Sequence, residues 1–85
     1  MDYIFSKHAI EQMLNRSIEK DNVIETIEHP DEIIYEDDNQ LIYQRIFKKE
    51  VSINAYMVRV FINATSATSL VKTVYLTTKL IKYLK

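Results

Sequence analysis

Three polar residues near the start of the chain, His8, Gln12 and Arg16, follow one another at intervals of four. On a helix this spacing stacks them one turn apart, so it predicts a polar ladder along one helical face. An imidazole exchanges protons readily near neutral pH, and a guanidinium binds phosphate. Alternatively, His8 hydrogen-bonds to its own helix, and Arg16 pairs with Glu11 or Glu19. The ladder is therefore either the rim of a site or an ordinary solvated helix edge.

Metal-independent cleavage of RNA is a reaction that these residue types can support. It needs a base for the 2′-hydroxyl, a cation for the charge that develops on the phosphate, and an acid for the leaving oxygen. The candidate catalytic residues are His8 as base or acid, Arg16, Arg45 and Arg59 as cations, and Tyr75 as an orienting phenol. The candidate RNA-binding residues are Lys72, Lys79, Lys82 and Tyr83. The last three belong to a basic tail that is alternatively a solvated chain end.

The composition excludes several other kinds of site. The absence of cysteine excludes disulfide bonds and thiolate metal sites, and the absence of glycine excludes a glycine-rich phosphate-binding loop. The two histidines are far apart and the carboxylates are scattered, so we predict no metal site and no cofactor. Without glycine, any turn with a positive φ must use Asn, Asp or a strained residue.

Charge is divided unevenly along the chain. Residues 1–40 carry eleven acidic and three basic side chains, whereas residues 41–85 carry one acidic and eight basic side chains. Such a chain can present a basic surface to an anion although its net charge is only −1. The alternative is that the acidic half neutralises the basic half within the molecule.

The length of 85 residues indicates a single domain over residues 1–85. The first residues lack the basic start and apolar core of a secretion signal. No apolar run approaches the roughly 20 residues that a membrane-spanning helix needs. We therefore expect a cytoplasmic protein that does not engage a membrane.

The ladder lies in the first of two predicted helices. Ser6 is a good N-cap for a helix over residues 7–15, and Ile18–His29 carries the apolar stripe of a second helix. Pro30 disfavours helical geometry in the residue before it, so the second helix should end at His29. The linker between the helices is short, which favours an antiparallel helix hairpin.

After Pro30 the hydrophobic period changes to two, which is typical of strands. The predicted strands cover residues 32–36, 41–48, 55–63 and 70–78, with residues 3–5 as a short edge strand. The sequence therefore predicts an α+β domain in which a helix hairpin packs on an antiparallel sheet of about four strands.

We expect the Val/Ile faces of the strands to pack on the helices, leaving an open face of arginines and aromatic residues. Its members would be Tyr43, Arg45, Phe47, Met57, Arg59 and Phe61, joined by Lys72 or Tyr75. Such a face suits RNA, because arginine binds phosphate and aromatic rings stack on bases. The alternative is a small second core covered by the tail or by a partner chain. We further expect the helical ladder to meet Tyr75 at the edge of the sheet.

Three segments carry a resemblance to a known family: SKHAIEQMLNRSI, VIETIEHPDEI and VKTVYLTTKLIKY. They contain a His-Ala pair, a Pro-Asp at a helix end and a Thr-Val-Tyr strand. In these features the chain resembles one small bacterial family, domain of unknown function 4258. The resemblance implies a fold like that of the RelE/ParE toxins. It also implies a toxin–antitoxin component, often an mRNA-cleaving ribonuclease inhibited by a partner protein.

Two residues depart from the family pattern. Gln12 stands where arginine is usual, which removes one cation from the ladder, and Ser17 stands where glycine is usual. If Ser17 adopts left-handed geometry, the local strain should cost about 1 kcal/mol. The resulting expectation is a metal-independent mRNA endoribonuclease or RNA-binding toxin that has an antitoxin protein and RNA or the ribosome as partners. The alternative is a non-enzymatic protein-interaction domain on a toxin-like fold.

Overall fold

The chain enters its first helix from a short edge strand. The computed structural model describes residues 3–37, 39–48, 55–64 and 69–80. Strand β1 (Tyr3–Phe5) leads into helix α1 (Lys7–Asn15), whose bounds agree with the prediction. Ser6 caps α1 as predicted, because its Oγ accepts a hydrogen bond from the Ala9 N–H at 3.0 Å.

A left-handed residue closes the first helix and turns the chain toward the second. Ser17 has a φ of 53°, as expected from the glycine that is usual at this position in the resembled family. The Ile18 N–H donates to the Met13 carbonyl at 2.8 Å, and the Ser17 N–H donates to the Leu14 carbonyl at 3.4 Å. This is the Schellman pattern, in which a left-handed residue satisfies the last carbonyls of a helix. Helix α2 (Lys20–Glu28) follows.

Helix α2 is shorter than predicted at its start. Glu19 occupies the N-cap position and Ile18 is used to close α1, so neither residue is helical. The last helical residue is Glu28, one residue before the predicted end, and His29 is the C-cap immediately before Pro30. No helix in the described ranges is long and apolar enough to cross a membrane.

The strands form a mixed sheet in the order β1-β5-β4-β3-β2. Its remaining members are β2 (Glu32–Tyr35), β3 (Gln40–Lys48), β4 (Ala55–Asn63) and β5 (Ser69–Thr77). Strands β2 to β5 pair antiparallel, whereas β1 pairs parallel with β5. The α+β class is confirmed, but the described residues contain five strands rather than about four, and the sheet is not purely antiparallel. The difference arises because α1 and α2 lie between β1 and the other strands, and such an intervening segment permits a parallel pair.

One face of the sheet packs against both helices, and we call it the helix face. Its buried core consists of Ala9, Ile18, Val23, Ile27, Val58, Val60, Ile62, Val71 and Val74. All five strand members are β-branched, four valines and one isoleucine, and such residues suit a half-buried pleated surface. Helix α1 packs mainly on β5, and α2 packs on β4 and β3.

A bulge in β5 changes the phase of that strand. Phe61 of β4 pairs with Thr73, but the next residue, Ile62, pairs with Val71, so Lys72 is the extra residue. Ser6 anchors the start of α1 at this point: its N–H donates to the Val71 carbonyl and its Oγ donates to the Lys72 carbonyl. The bulge allows the valines on both sides of it to reach the helix face.

Candidate nucleic-acid interface

Sheet register places the predicted site arginines on opposite faces. Arg45 of β3 pairs with Val58 of β4, whereas Arg59 pairs with Gln44. Directly paired residues project from the same side of a sheet, so Arg45 lies on the helix face with Val58, and Arg59 lies on the other face. The predicted open face that joins both arginines is therefore wrong.

The physical reason is the packing of two aromatic residues in β3. Tyr43 and Phe47 pack against the helix-face core, and Phe47 stacks with Tyr56 at a ring separation of 5.5 Å. Arg45 is two residues from each of them in the strand, so its side chain projects to the helix face as well. The isoleucines Ile42 and Ile46 take the opposite side, although the sequence had assigned them to the core.

Arg45 connects β3 to the end of α2. Its guanidinium donates a hydrogen bond to the His29 carbonyl and lies 3.9 Å from the Glu25 carboxylate. The guanidinium carbon also lies 5.7 Å from the centre of the Phe47 ring. The final carbonyls of a helix lack partners within the helix, and Arg45 satisfies one of them. This arrangement is that of a helix-capping residue.

We call the opposite face, which carries Glu32, Gln44, Arg59, Phe61 and Tyr75, the distal face. A chain of hydrogen bonds crosses three of its strands. The Gln44 amide donates to a Glu32 carboxylate oxygen at 2.8 Å, and the amide oxygen of Gln44 accepts from the Arg59 Nε at 3.1 Å. The Arg59 guanidinium also lies 5.3 Å from the centre of the Phe61 ring. These contacts orient the guanidinium from two directions.

Two further predicted residues join Arg59 on this face. Tyr75 is the direct partner of Arg59 in the register of β4 and β5. Lys72, at the bulge, is exposed and donates from Nζ to the Gln40 side-chain oxygen at 2.8 Å. Simple alternation would put Lys72 and Tyr75 on opposite faces, but the bulge between them puts both on the distal face. Arg59 and Tyr75 are half-buried, so this part of the face is accessible.

The helical ladder does not reach Tyr75. His8 and Arg16 are exposed, and the Nε2 atoms of His8 and Gln12 lie 3.4 Å apart. Helix α1 packs on β5, but it does so on the helix face, while Tyr75 projects to the distal face. The expectation that His8, Arg16 and Tyr75 converge is therefore wrong, because the sheet lies between the ladder and the phenol.

The tail residues were predicted to close the site. Lys79 is exposed, and its N–H donates to the Thr77 hydroxyl at 3.0 Å. Lys82 and Tyr83 lie outside the described residues. Within the part of the chain that the structure describes, no group of three or more histidine, aspartate and glutamate side chains could hold a metal ion.

Sequence reasoning missed Glu32 and Gln44. A signal was present, because Gln44 interrupts an alternation in which its neighbours two positions away, Ile42 and Ile46, are apolar. A buried polar side chain at such a position must find hydrogen-bond partners. Gln44 finds them in an acid on one neighbouring strand and a cation on the other.

A family model described as "Domain of unknown function (DUF4258)" matches residues 5–76. The chain belongs to this family. The family assignment from the sequence is thereby confirmed, and the DUF4258 match includes Arg59, Lys72 and Tyr75 but ends before Lys79. No curated protein and no solved structure matches the chain.

Proposed function

We propose that this DUF4258 chain is a cytoplasmic, toxin-like RNA-binding protein that contacts single-stranded RNA through the β4–β5 side of its distal face. A helix hairpin and a fold like that of the RelE/ParE toxins are parts of the same proposal. The observation that carries it is the pairing of Arg59 and Tyr75 on neighbouring strands. An oriented guanidinium suits a phosphate, and an adjacent aromatic ring suits a base.

The distribution of charge on the distal face supports this choice. Arg59 and Lys72 supply cations on β4 and β5, while the acidic Glu32 lies two strands away on β2. A polyanion would therefore be attracted to the β4–β5 side and repelled from the β2 edge. Phe61 and Tyr75 provide aromatic surface beside the two cations.

We propose binding rather than cleavage. Cleavage needs a base and an acid within hydrogen-bond reach of the same phosphodiester. His8, the predicted base or acid, lies on the helix side of the sheet, away from Arg59 and Tyr75. The distal face therefore lacks the histidine on which the expected endoribonuclease activity would depend.

A charge-matched pair of lysine variants tests the proposal. Lys72→Ala and Lys7→Ala each remove one exposed cation, but Lys7 is in the first turn of α1. The affinity for a labelled single-stranded RNA is measured by fluorescence anisotropy across a salt series. We expect Lys72→Ala to weaken binding several-fold and to lower the slope of log K against log salt by about 0.7. Lys7→Ala should bind like the wild-type protein.

Three results would contradict the proposal. Wild-type protein that shows no salt-dependent RNA binding would remove it, and equal losses in the two lysine variants would indicate non-specific attraction. Cleavage of the RNA by wild-type protein in the presence of a chelator would replace binding with the endoribonuclease expected from the sequence. A duplex RNA and a single-stranded DNA of the same sequence serve as competitors.

A second candidate function is protein binding through α1, by an antitoxin in particular. Ile10 and Leu14 lie one turn apart on α1 and are 47% and 75% exposed. Adjacent exposed apolar side chains at this spacing can anchor a partner helix. Leu14→Ser should then abolish co-purification with a candidate antitoxin, whereas Lys72→Ala should leave it unchanged. The opposite pattern in both variants would exclude α1 as the binding surface.

A further inference from the structure

Gln44 is a polar side chain in an apolar position of the sheet. It is only 1% exposed, and its neighbours on the distal face include the buried side chains of Ile42 and Met57. Burying an amide is unfavourable unless its donor and acceptor are both hydrogen-bonded. Gln44 meets this condition by contacting Glu32 on one side and Arg59 on the other.

The chemistry of the two end groups determines which way the amide points. A carboxylate only accepts hydrogen bonds, and a guanidinium only donates them. Only one amide orientation satisfies both, with the nitrogen toward Glu32 and the oxygen toward Arg59. If the amide rotated by half a turn, its NH₂ group would face the Arg59 N–H and its oxygen would face the carboxylate.

The amide also separates the two charges. A direct ion pair between Glu32 and Arg59 would neutralise the guanidinium, because Coulomb attraction is strongest at contact distance. With Gln44 between them, Arg59 is oriented through an acceptor that carries no net charge. Gln44 therefore orients the guanidinium without itself neutralising its charge.

We infer that Gln44 is a positioning residue that holds the Arg59 guanidinium in place for an RNA phosphate, with Glu32 setting the orientation of the amide. This inference rests on the proposed RNA binding at the distal face. It predicts that Gln44 acts on RNA only through Arg59. It also predicts that a carboxylate at position 44 would weaken RNA binding, although it could accept the same hydrogen bond from Arg59.

A double-mutant cycle tests this dependence. Gln44→Met preserves side-chain length and removes both hydrogen bonds, and it should weaken RNA binding by about three- to tenfold, as expected for loss of one oriented contact. In an Arg59→Met background, Gln44→Met should have no further effect. Gln44→Glu should weaken binding at least as much as Gln44→Met, because its carboxylate would neutralise Arg59. Gln12→Met, on α1, is the matched control and should bind like wild-type protein.

The Nε–H resonance of Arg59 provides a readout that does not depend on RNA. It can be assigned in ¹H–¹⁵N spectra by its loss in Arg59→Lys, and it should shift in Gln44→Met but not in Gln12→Met. Urea unfolding of each variant establishes that it is folded at the assay temperature. If Gln44→Met does not fold, Gln44→Glu carries the test through its RNA affinity and through the shift of the Arg59 resonance in that variant.

The possible outcomes separate the inference from the function on which it rests. If Arg59→Met weakens RNA binding and Gln44→Met does not, or if the two losses add, the positioning role is wrong and the RNA-binding function stands. If Arg59→Met binds RNA like wild-type protein, the proposed interface is wrong, and the inference is overturned with it.

Discussion

Two short segments of the sheet have nearly the same sequence and entirely different surroundings. Residues 45–47 read Arg-Ile-Phe in β3, and residues 59–61 read Arg-Val-Phe in β4. In both, the guanidinium lies over the phenylalanine ring two positions later, at 5.7 Å and 5.3 Å. The first arginine caps α2 on the helix face. The second donates a hydrogen bond to Gln44 on the distal face, and this bond orients its guanidinium.

The comparison separates contacts that depend on neighbouring residues in one strand from contacts that depend on the pairing of strands. The contact between each arginine and its phenylalanine follows from period-two geometry, because residues two apart in a strand share a face. The choice of face depends on the cross-strand partner, which is Val58 for Arg45 and Gln44 for Arg59. Equivalent segments therefore acquire a structural role in one strand and a candidate binding role in the other.

The largest effect that we expect comes from replacing the arginine of the helix face. Arg45→Met should lower the free energy of unfolding by about 2 kcal/mol, because the His29 carbonyl loses a charged hydrogen-bond donor. Urea unfolding followed by circular dichroism measures this loss. RNA affinity under conditions where the variant is folded should stay at the wild-type value. A loss of RNA affinity in the folded variant would contradict a purely structural role for Arg45.

The matched replacement on the distal face should show the reverse. Arg59→Met should weaken the binding of single-stranded RNA about tenfold, which corresponds to about 1.4 kcal/mol, since it removes an oriented phosphate contact. Its unfolding free energy should fall by less than that of Arg45→Met. Anisotropy titrations and urea unfolding of the two variants, compared side by side, check both statements.

Ser17 lies on neither face of the sheet, so a stabilising substitution there tests whether the effects of the two arginines on stability and on RNA binding are separate. Ser17→Gly should raise the free energy of unfolding by about 1 kcal/mol, because glycine adopts the φ of 53° without the steric cost of a Cβ. Combined with Arg45→Met it should recover part of the lost stability, and combined with Arg59→Met it should leave the RNA defect unchanged. A lower urea midpoint in Ser17→Gly would contradict the strain at this position.

The smallest expected effect is a pH dependence of the free energy of unfolding, which arises from Tyr3 beside the helix-face core. Burial raises the pKa of Tyr3 above its usual range, and the nearby Glu28 and Tyr43 raise it further. Above about pH 10 the unfolded chain loses this proton while the folded chain retains it, so the free energy of unfolding falls as pH rises. Tyr3→Phe should flatten this fall. Parallel pH profiles for the two proteins between about pH 9 and pH 11 would contradict it.

Much of the local structure could be predicted from the sequence. The bounds of α1 and β4 and the Ser6 cap agree with the prediction, and α2 ends within one residue of it, because each depends on neighbouring residues alone. The left-handed conformation of Ser17 was expected only through the family resemblance, in which glycine is usual at this position. The pairing of β1 with β5 could not be deduced in this way, since it joins opposite ends of the chain.

The candidate site was less predictable than the elements that carry it. The placement of Arg59 and Phe61 on one face of β4 followed from alternation, but the sequence placed Arg45 beside them and omitted Gln44. Alternation defines two faces for every strand without stating how the faces of neighbouring strands match. A shift of one residue in register exchanges the two sets of side chains.

The sequence by itself determined the two helices, the strands and the residues that share a face within each strand, because these depend on caps and on short periodicities. Only the tertiary structure decided that Tyr43, Arg45 and Phe47 turn toward the helices. It also decided that the bulge at Lys72 brings that lysine onto the same face as Tyr75. The physical reason is that the buried face of a strand is set by cross-strand hydrogen bonding and by the apolar area that the whole sheet can bury against its helices.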